Sequence, residues 1–180
     1  MRIIAGTARG RRLKAPPGLE TRPMMDRAKE AVFSALGDAV SGAVVLDLYA
    51  GSGALGLEAL SRGAAAATFV EWGRGARAAL ADNLRHVGLG GEVVAAKVEE
   101  YLERPGPAVD LAFVDPPYDL PLPSVEQVLR LLMHRLAMGA VVVVHRRAGS
   151  GKPVPPPGLV VEWQRKYGDA EITRLVKEER

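Results

Sequence analysis

Residues 43–63 contain the feature that most restricts the fold, a glycine-rich loop between an apolar run and a helical pattern. The run "AVVLDL" predicts a buried strand, and "YAGSGALGLEAL" follows it directly. Gly51, Gly53 and Gly56 form a G-x-G-x-x-G spacing, which after a strand permits a tight turn and close approach of the backbone to a ligand. This context predicts a βαβ unit that binds a nucleoside-containing cofactor.

Short β-branched runs and helical patterns alternate along the rest of the chain. Strands are predicted at residues 43–48, 66–71, 92–97, 109–115, 139–146, 159–167 and 170–177. Helices are predicted at residues 26–36, opened by Asp26, and at 54–62, 74–87 and 123–138, closed by Gly63, Gly88 and Gly139. This alternation is typical of an α/β protein with a Rossmann-like, doubly wound, mostly parallel sheet, here of seven strands. A Gly-Asp turn between the last two runs predicts a C-terminal antiparallel hairpin.

The composition fits one globular domain. The chain has 180 residues, of which 48% are hydrophobic and 25% charged, as in ordinary folded domains. No apolar run approaches the roughly 20 residues that span a bilayer, and the first residues lack the apolar core of a signal peptide. We therefore expect a cytoplasmic protein with no membrane partner. Cysteine is absent, which excludes disulfides, thiolate metal sites and cysteine nucleophiles, and we predict no metal site.

Residues 1–25 are predicted to form a basic arm ahead of a domain at residues 26–180. Eight basic and three acidic residues lie within residues 1–30, so this segment carries +5, whereas the whole chain carries +3. The stretches "RIIAG" and "RRLKA" predict a small N-terminal β-hairpin. A basic arm on a nearly neutral body favours a phosphate-rich partner such as RNA, and a solvated charge run is the alternative. The residues expected to contact RNA are Arg9, Arg11, Arg12, Lys14, Arg22 and Arg27.

Asp47 indicates which nucleoside cofactor the glycine loop favours. A dinucleotide would place its pyrophosphate near this carboxylate, and two unit charges about 4 Å apart repel by about 4 kcal/mol at an effective dielectric of about 20. S-adenosylmethionine carries an ammonium and a sulfonium instead of phosphates, so an acid favours it. Glu71 ends the next strand, where an acid can bind ribose hydroxyls. Two alternatives stay open: Asp47 as a cap of the turn, and Trp72 as a core residue and not a contact to the adenine.

The stretch "LAFVDPPYDLP" ends the fourth predicted strand at the edge where ligands bind in doubly wound folds. Pro116 and Pro117 lack N–H groups, so this loop offers many acceptors and few donors, which suits an exocyclic amine. Asp115 and the Pro116 carbonyl would accept the two amine hydrogens and aim the nitrogen lone pair at the cofactor methyl group. Tyr118 would stack on the base. A plain strand-ending turn is the alternative.

Several stretches resemble known enzymes. "DLYAGSGALG" closely resembles the first motif of class I methyltransferases, and "DPPY" is similar to the D/N-P-P-Y/F motif of methyltransferases that act on amino groups of nucleic acid bases. "MRIIAG" with "RGRRLKAP", "TRPMMDRAKEAVFSAL", "DLYAGSGALGLEALSRGA" and "KYGDAEI" together resemble the RsmD-type small-subunit ribosomal RNA guanine-N2 methyltransferases. The resemblance spans nearly the whole chain.

This resemblance implies a class I methyltransferase fold, S-adenosylmethionine as cofactor, and methylation of the exocyclic N2 amine of a guanine in 16S rRNA. The predicted cofactor-binding residues, from the loop and the resemblance together, are Asp47, Tyr49, Gly51, Gly53, Glu71, Trp72 and Val98. The predicted catalytic residues are Asp115, Pro116, Pro117 and Tyr118. The chain departs from the family at Met24 and Met25, where Thr or Ser is common, and at His145, where an acid is expected. As a lone histidine, His145 is expected to be structural.

The expected partner is small-subunit rRNA, as prefolded RNA or within a partly assembled ribosomal particle. Two other functions stay open from the sequence. A DNA adenine-N6 methyltransferase also carries "DPPY", although such enzymes usually need recognition segments for which 180 residues leave little room. A non-catalytic rRNA-binding assembly factor could keep the same fold. A nicotinamide-dependent oxidoreductase is a more distant alternative because of Asp47.

Overall fold

The structure, a computed structural model, describes residues 1–16 and 26–178. Its strands are β1 (Val44–Leu48), β2 (Ala66–Val70), β3 (Glu92–Val94), β4 (Val109–Val114), β5 (Leu136–Arg147), β6 (Leu159–Tyr167) and β7 (Ala170–Lys177). Its helices are α1 (Asp26–Leu36), α2 (Ala54–Ser61), α3 (Arg74–Val87), α4 (Val98–Leu102) and α5 (Leu122–Leu132), with a 3-10 turn at Gly37–Val40. No helix in these two ranges is long and apolar enough to cross a membrane.

The strands form one seven-stranded sheet in the order β3-β2-β1-β4-β5-β7-β6. The strands β1 to β5 pair in parallel, and β7 pairs antiparallel to both β5 and β6. From β1 the chain proceeds outward to β3 and then returns to β4 on the other side, so the connections change direction between β1 and β4. Ligands bind at the carboxyl ends of the strands at such a switch point. The predicted doubly wound sheet and C-terminal hairpin are therefore confirmed.

Side chains of alternate strand positions fill two apolar layers, one on each face of the sheet. Val45, Phe113 and Val143 pack with helices α1, α2 and α3. Leu46 and Val142 pack on the opposite face with α4 and α5. Because helices cover both faces, the central strands are apolar at nearly every position.

Three predicted boundaries, the end of α5, the start of β5 and the end of β3, differ from the structure by three or more residues. Helix α5 ends at Leu132 and not at residue 138, because β5 begins at Leu136. Gly139, predicted to close that helix, lies inside β5 at φ +72°, opposite a register shift between Val109 and Leu111 of β4. The strand β3 stops at Val94. The short helix α4 was not predicted.

The N-terminal segment packs on α2 through a buried carboxylate. The predicted small hairpin is present as a short antiparallel pairing, with a bridge between Arg2 and Arg12 and backbone hydrogen bonds from Ile3 to Arg11 at 3.0 Å and from Leu13 to Met1 at 3.1 Å. Glu58 of α2 accepts hydrogen bonds from the backbone N–H groups of Ile4 at 2.8 Å and Ala5 at 3.1 Å. Since the described ranges omit residues 17–25, they leave out Arg22, Met24, Met25 and the domain boundary predicted at residue 25.

Candidate active site

The loop between β1 and α2 places backbone N–H groups at the carboxyl edge of the sheet. Tyr49 has φ +59°, and Gly51 and Gly53 have φ +57° and +80°. Gly53 is the N-cap residue of α2, and a Cβ there would lie 2.4 Å from Leu80 Cδ1. The positive φ therefore favours glycine at this position, and a larger residue would also displace the side chain of Leu80. The tight turn predicted from the glycine spacing is present.

Asp47, near the end of β1, is buried under this loop at 1% exposure. Its Oδ2 accepts a hydrogen bond of 2.9 Å from the N–H of Gly56, where an added Cβ would lie 2.3 Å from Phe69 Cε1. Burial raises the pKa of Asp47 well above its usual range, the Gly56 N–H opposes the rise, and the carboxylates of Asp115 and Glu71 add to it. The alternative in which Asp47 caps the turn is thus confirmed, and it is compatible with a ligand contact.

Glu71 follows β2 and joins the glycine loop to the start of α3. Its Oε2 accepts a hydrogen bond of 2.9 Å from the N–H of Gly51, and its Oε1 accepts one of 2.6 Å from the N–H of Gly73. Each carboxylate oxygen has a second lone pair, so the same side chain can also accept hydrogen bonds from ribose hydroxyls. The two backbone bonds fix the orientation in which it would do so.

The remaining predicted cofactor residues are Trp72, Val98 and Tyr49, and they differ in exposure and contacts. Trp72 is 61% exposed, so it is not a core residue, and Lys97 Nζ lies 5.8 Å from the centre of its ring. Val98 is buried at 3% exposure and can meet a ligand mainly through its backbone. The hydroxyl of Tyr49 donates to Glu99 Oε1 at 3.4 Å. Burial and the Glu99 carboxylate raise the pKa of the Tyr49 phenol, which therefore remains a donor.

The loop after β4 carries the predicted catalytic residues. Asp115 donates its N–H to the carbonyl of Leu48 in β1 at 3.4 Å, and Leu120 donates to the carbonyl of Pro117 at 3.0 Å. The second bond closes a turn and occupies the Pro117 carbonyl. The Pro116 carbonyl has no hydrogen-bond partner among the described residues, so it can accept a hydrogen from a ligand.

Two neighbouring side chains of β5 support this loop. His145 Nδ1 lies 2.6 Å from Asp115 Oδ1, and its Nε2 lies 3.3 Å from the Tyr118 hydroxyl. Arg146 donates to the carbonyl of Leu120 at 3.2 Å. Burial lowers the pKa of His145, but the Asp115 carboxylate and, more weakly, Asp169 raise it by more, so the net shift is upward.

One continuous cavity of about 960 Å³ joins the glycine loop to the Asp115–Tyr118 loop. Its volume lies near the upper end of the range of about 300–1,000 Å³ for small-molecule sites, which leaves room for a nucleoside cofactor and a second flat group. The described residues that line it include Asp47, Tyr49, Gly51, Glu71, Trp72, Val98, Asp115, Pro116, Pro117, Tyr118 and His145. The predicted cofactor and catalytic residues therefore share this cavity, with Gly53 directly behind its glycine loop.

The charges of the cavity favour a cationic ligand. Among the described residues, the lining carboxylates are Asp47, Glu71, Glu99, Asp115 and Asp119, whereas the lining lysines are Lys29 and Lys97. Lys29 is paired with a buried Glu58 at 3.3 Å and is therefore not free to bind a phosphate. An excess of carboxylates fits the ammonium and sulfonium of S-adenosylmethionine and opposes a pyrophosphate. No cluster of three or more metal-ligating side chains occurs in residues 1–16 and 26–178.

Known proteins are similar to this chain in sequence and in fold. The family described as "Conserved hypothetical protein 95" matches residues 1–176. Ribosomal RNA small subunit methyltransferase D of Escherichia coli K12 is 39% identical over 171 residues, covering 93% of this chain and 85% of that protein. The chain belongs to this methyltransferase family. The Haemophilus influenzae protein of the same name is 34% identical over 87% of this chain and 83% of its own length. The solved structure of Escherichia coli yhhF has a TM-score of 0.89 at 36% identity, covering 100% of this chain and 99% of that one.

As a family member, the chain is a methyltransferase with the class I fold. The residues expected to contact RNA differ in how the structure places them. Arg11 donates to the carbonyls of His86 at 2.6 Å and Val87 at 3.0 Å at the end of α3, and Lys14 pairs with Asp82 at 3.0 Å. The side chains of Arg11 and Lys14 are therefore partly engaged in contacts within the protein. The remaining described candidates, Arg9, Arg12 and Arg27, are exposed to solvent.

Three contributors to the site were not identified from the sequence. His145 was expected to be structural, the sequence predicts no role for Arg146, and Glu99 lies in a helix that was not predicted. Each reaches the site across a long sequence separation, which short motifs do not encode. For His145 a signal did exist, because it ends a predicted strand next to the one that leads into Asp115.

Proposed function

We propose that this chain transfers the methyl group of S-adenosylmethionine to the exocyclic N2 amine of a guanine in small-subunit (16S) rRNA. The observation that carries the proposal is that Asp115 shares one cavity with Asp47 and Glu71 at the switch point of the sheet. One end of this cavity suits a cationic nucleoside, and the other presents acceptors to an amine. The names of the relatives support rRNA as the substrate.

The glycine-loop end of the cavity would hold the cofactor. Glu71 would accept hydrogen bonds from the ribose hydroxyls, Trp72 would lie against the adenine, and Asp47 would attract the positive charges. Gly51, Tyr49 and Val98 would supply close backbone contact, and Gly53, with φ +80°, would keep the loop in its tight turn. When bound, S-adenosylmethionine supplies an electrophilic methyl group on its sulfonium.

The Asp115 end of the cavity would hold the target amine. Asp115 Oδ1 is engaged by His145 at 2.6 Å, whereas Oδ2 has no partner among the described residues. We therefore assign Oδ2 and the Pro116 carbonyl as acceptors of the two amine hydrogens. Because an exocyclic amine delocalises its lone pair into the base, two acceptors placed on its hydrogens favour a geometry in which the lone pair can attack. Positioning of this kind supplies most of the rate enhancement.

Tyr118 and the basic arm would hold the RNA. A paired base must leave its stack to enter the cavity, at a cost of a few kcal/mol. Stacking on an aromatic side chain returns about 1–3 kcal/mol per base, and Tyr118 lines the cavity beside Asp115. The exposed arginines Arg9, Arg12 and Arg27 would contact phosphates. We expect these contacts, with Arg11, Lys14 and Arg22, to recognise rRNA within a partly assembled particle in the cytoplasm.

Mapping of the methyl group tests the proposal directly. RNA from cells with and without this protein would be digested and its modified nucleosides identified and located. We expect one N2-methylguanine in 16S rRNA to disappear when the protein is absent. Loss of N6-methyladenine from DNA would instead favour the DNA methyltransferase, and no change in methylation would favour the assembly factor.

Asp115→Ala separates catalysis from cofactor binding in the purified protein. We expect methyl transfer to small-subunit particles to be abolished while the thermal shift caused by S-adenosylmethionine persists, because Asp115 contacts the amine and not the cofactor. The matched control is Asp38→Ala, which removes an exposed carboxylate of the 3-10 turn and should leave both properties unchanged. Loss of cofactor binding in Asp115→Ala would show that Asp115 serves the fold or the cofactor instead.

A further inference from the structure

His145 is the point at which β5 meets the proposed catalytic loop. The residue is 4% exposed, and its backbone is paired with Ile172 of β7. Its imidazole contacts Asp115 through Nδ1 at 2.6 Å and Tyr118 through Nε2 at 3.3 Å. The Tyr118 ring also packs against the imidazole in an edge-on arrangement, with ring centres 5.7 Å apart. The imidazole of His145 therefore contacts both Asp115 and Tyr118, the two side chains that would hold the target base.

The Asp115 carboxylate needs such a partner to have a defined orientation. Rotation of a carboxylate about its last side-chain bond is only weakly restricted by local geometry, and the Asp115 side chain is 31% exposed. Within the described residues, the contact from His145 Nδ1 is the hydrogen bond that holds this carboxylate. Holding Oδ1 also fixes the direction of Oδ2, which is the atom available to an amine.

We propose that His145 is a positioning residue that sets the plane of the Asp115 carboxylate and the place of Tyr118 for methyl transfer. This inference rests on the proposed function. Asp115 from the catalytic loop and Asp169 from the β6–β7 turn are the carboxylates that act on His145, and Ile172 faces it from β7. In the neutral ring the Asp115 carboxylate selects the Nδ1–H tautomer, so Nε2 accepts from the Tyr118 hydroxyl. In the protonated ring both nitrogens donate. Nδ1 thus donates to Asp115 in either state.

Three substitutions separate the two contacts. His145→Ala removes both of them. His145→Asn places an amide nitrogen the same number of bonds from Cβ as Nδ1, so it can donate to Asp115 but does not reach Tyr118. His145→Gln places an amide nitrogen at the level of Nε2, so it can reach Tyr118 but not replace the bond to Asp115. The control is His134→Ala, at an exposed histidine between α5 and β5.

The measurements are kcat and KM for small-subunit particles and the affinity for S-adenosylmethionine. We expect His145→Ala to lower kcat about 10- to 100-fold, as a small misplacement of reacting groups does, with affinity for the cofactor unchanged. His145→Asn should recover most of kcat, and His145→Gln should not. Wild-type kcat in His145→Ala, or equal recovery by Asn and Gln, would overturn the proposal.

A titration by NMR makes this result independent of the enzymatic activity. The imidazole resonances of His145 would be followed against pH in the wild type and in Asp115→Asn. We expect the pKa of His145 to be lower in Asp115→Asn, because the carboxylate that raises it is gone. An unchanged pKa would refute the contact whatever the activity. If the pKa falls but the wild type methylates no RNA, the proposed function fails while the contact between His145 and Asp115 stands.

Discussion

Removal of the Glu58 carboxylate should destabilise the protein strongly and release its N-terminal segment. Glu58 is fully buried and Lys29 is 1% exposed. The carboxylate accepts from Ile4 N at 2.8 Å, Ala5 N at 3.1 Å and Arg62 Nε at 2.8 Å, and lies 3.3 Å from Lys29 Nζ. Without it, the buried ammonium of Lys29 keeps, among the described residues, only its bond of 2.5 Å to the carbonyl of Arg2. Burial already lowers the pKa of Lys29, and Glu58 is the main group that opposes this.

The size of the effect follows from these contacts. Breaking a buried ion pair by removing one partner costs about 3–5 kcal/mol, and each unsatisfied buried N–H costs about 1–3 kcal/mol. The two contributions overlap, because the segment can move away and let water reach its N–H groups. We therefore expect Glu58→Ala to lower the free energy of unfolding by about 3–5 kcal/mol, a large part of the roughly 5–15 kcal/mol that stabilises a domain.

Denaturant unfolding and amide hydrogen exchange measure this loss. The amides of Ile4 and Ala5 should lose protection first, and the control Glu30→Ala, at an exposed position of α1, should change stability by less than about 0.5 kcal/mol. A double-mutant cycle with Lys29→Met and Glu58→Gln tests the ionic part. The double variant should be more stable than the sum of the single losses implies, because no unpaired charge remains. Strict additivity would refute the reasoning.

Two further predictions concern the site itself. Glu71→Gln should weaken S-adenosylmethionine binding about 10- to 100-fold in calorimetry, because the amide replaces one acceptor oxygen, which faces the N–H of Gly51 or Gly73, by a donor, and a hydrogen bond to a charged group contributes about 1.5–3 kcal/mol. The control is Glu92→Gln, at an exposed strand end. Unchanged affinity in Glu71→Gln would contradict the assignment of Glu71 to the cofactor. The free energy of unfolding should fall as pH rises from about 6.5 through the raised pKa of native His145, because the folded state binds that proton more tightly than the unfolded state. Asp115→Asn should flatten this dependence in denaturant titrations at pH 6 to 9, and an equal slope in both proteins would count against it.

The parts of the site that the sequence predicted are those encoded in consecutive residues. The glycine loop is encoded in one short stretch, in which Gly51 and Gly53 have positive φ and Asp47 accepts a hydrogen bond from Gly56, nine positions later. Predicting the position of Asp115 required one further rule, which is that the carboxyl ends of β1 and β4 meet at the switch point of a doubly wound sheet. Together these two elements locate the cavity without any knowledge of side-chain contacts.

The contacts that the sequence did not predict join distant positions. His145 reaches Asp115 across 30 residues, and Ile4 reaches Glu58 across 54. The end of α5 was wrong for a different reason, because Gly139 has the positive φ that suits a helix end but uses it inside β5. Pairing with β4 decided between these two uses, and strand pairing is a tertiary property.

Asp47, Glu71 and Asp115 lie close together at the carboxyl edge of the sheet, and their mutual repulsion explains why the cavity favours a cationic ligand. Burial of Asp47 beside Asp115 and Glu71 raises its pKa, which means that the charged form is destabilised by the fold. A phosphate near this group would increase that cost, whereas an ammonium or sulfonium would reduce it. The carboxylates that attract S-adenosylmethionine therefore also repel a dinucleotide, and no other group is needed to exclude it. It follows from the placement of three carboxylates at the ends of three adjacent strands, β1, β2 and β4, where the parallel sheet brings them together.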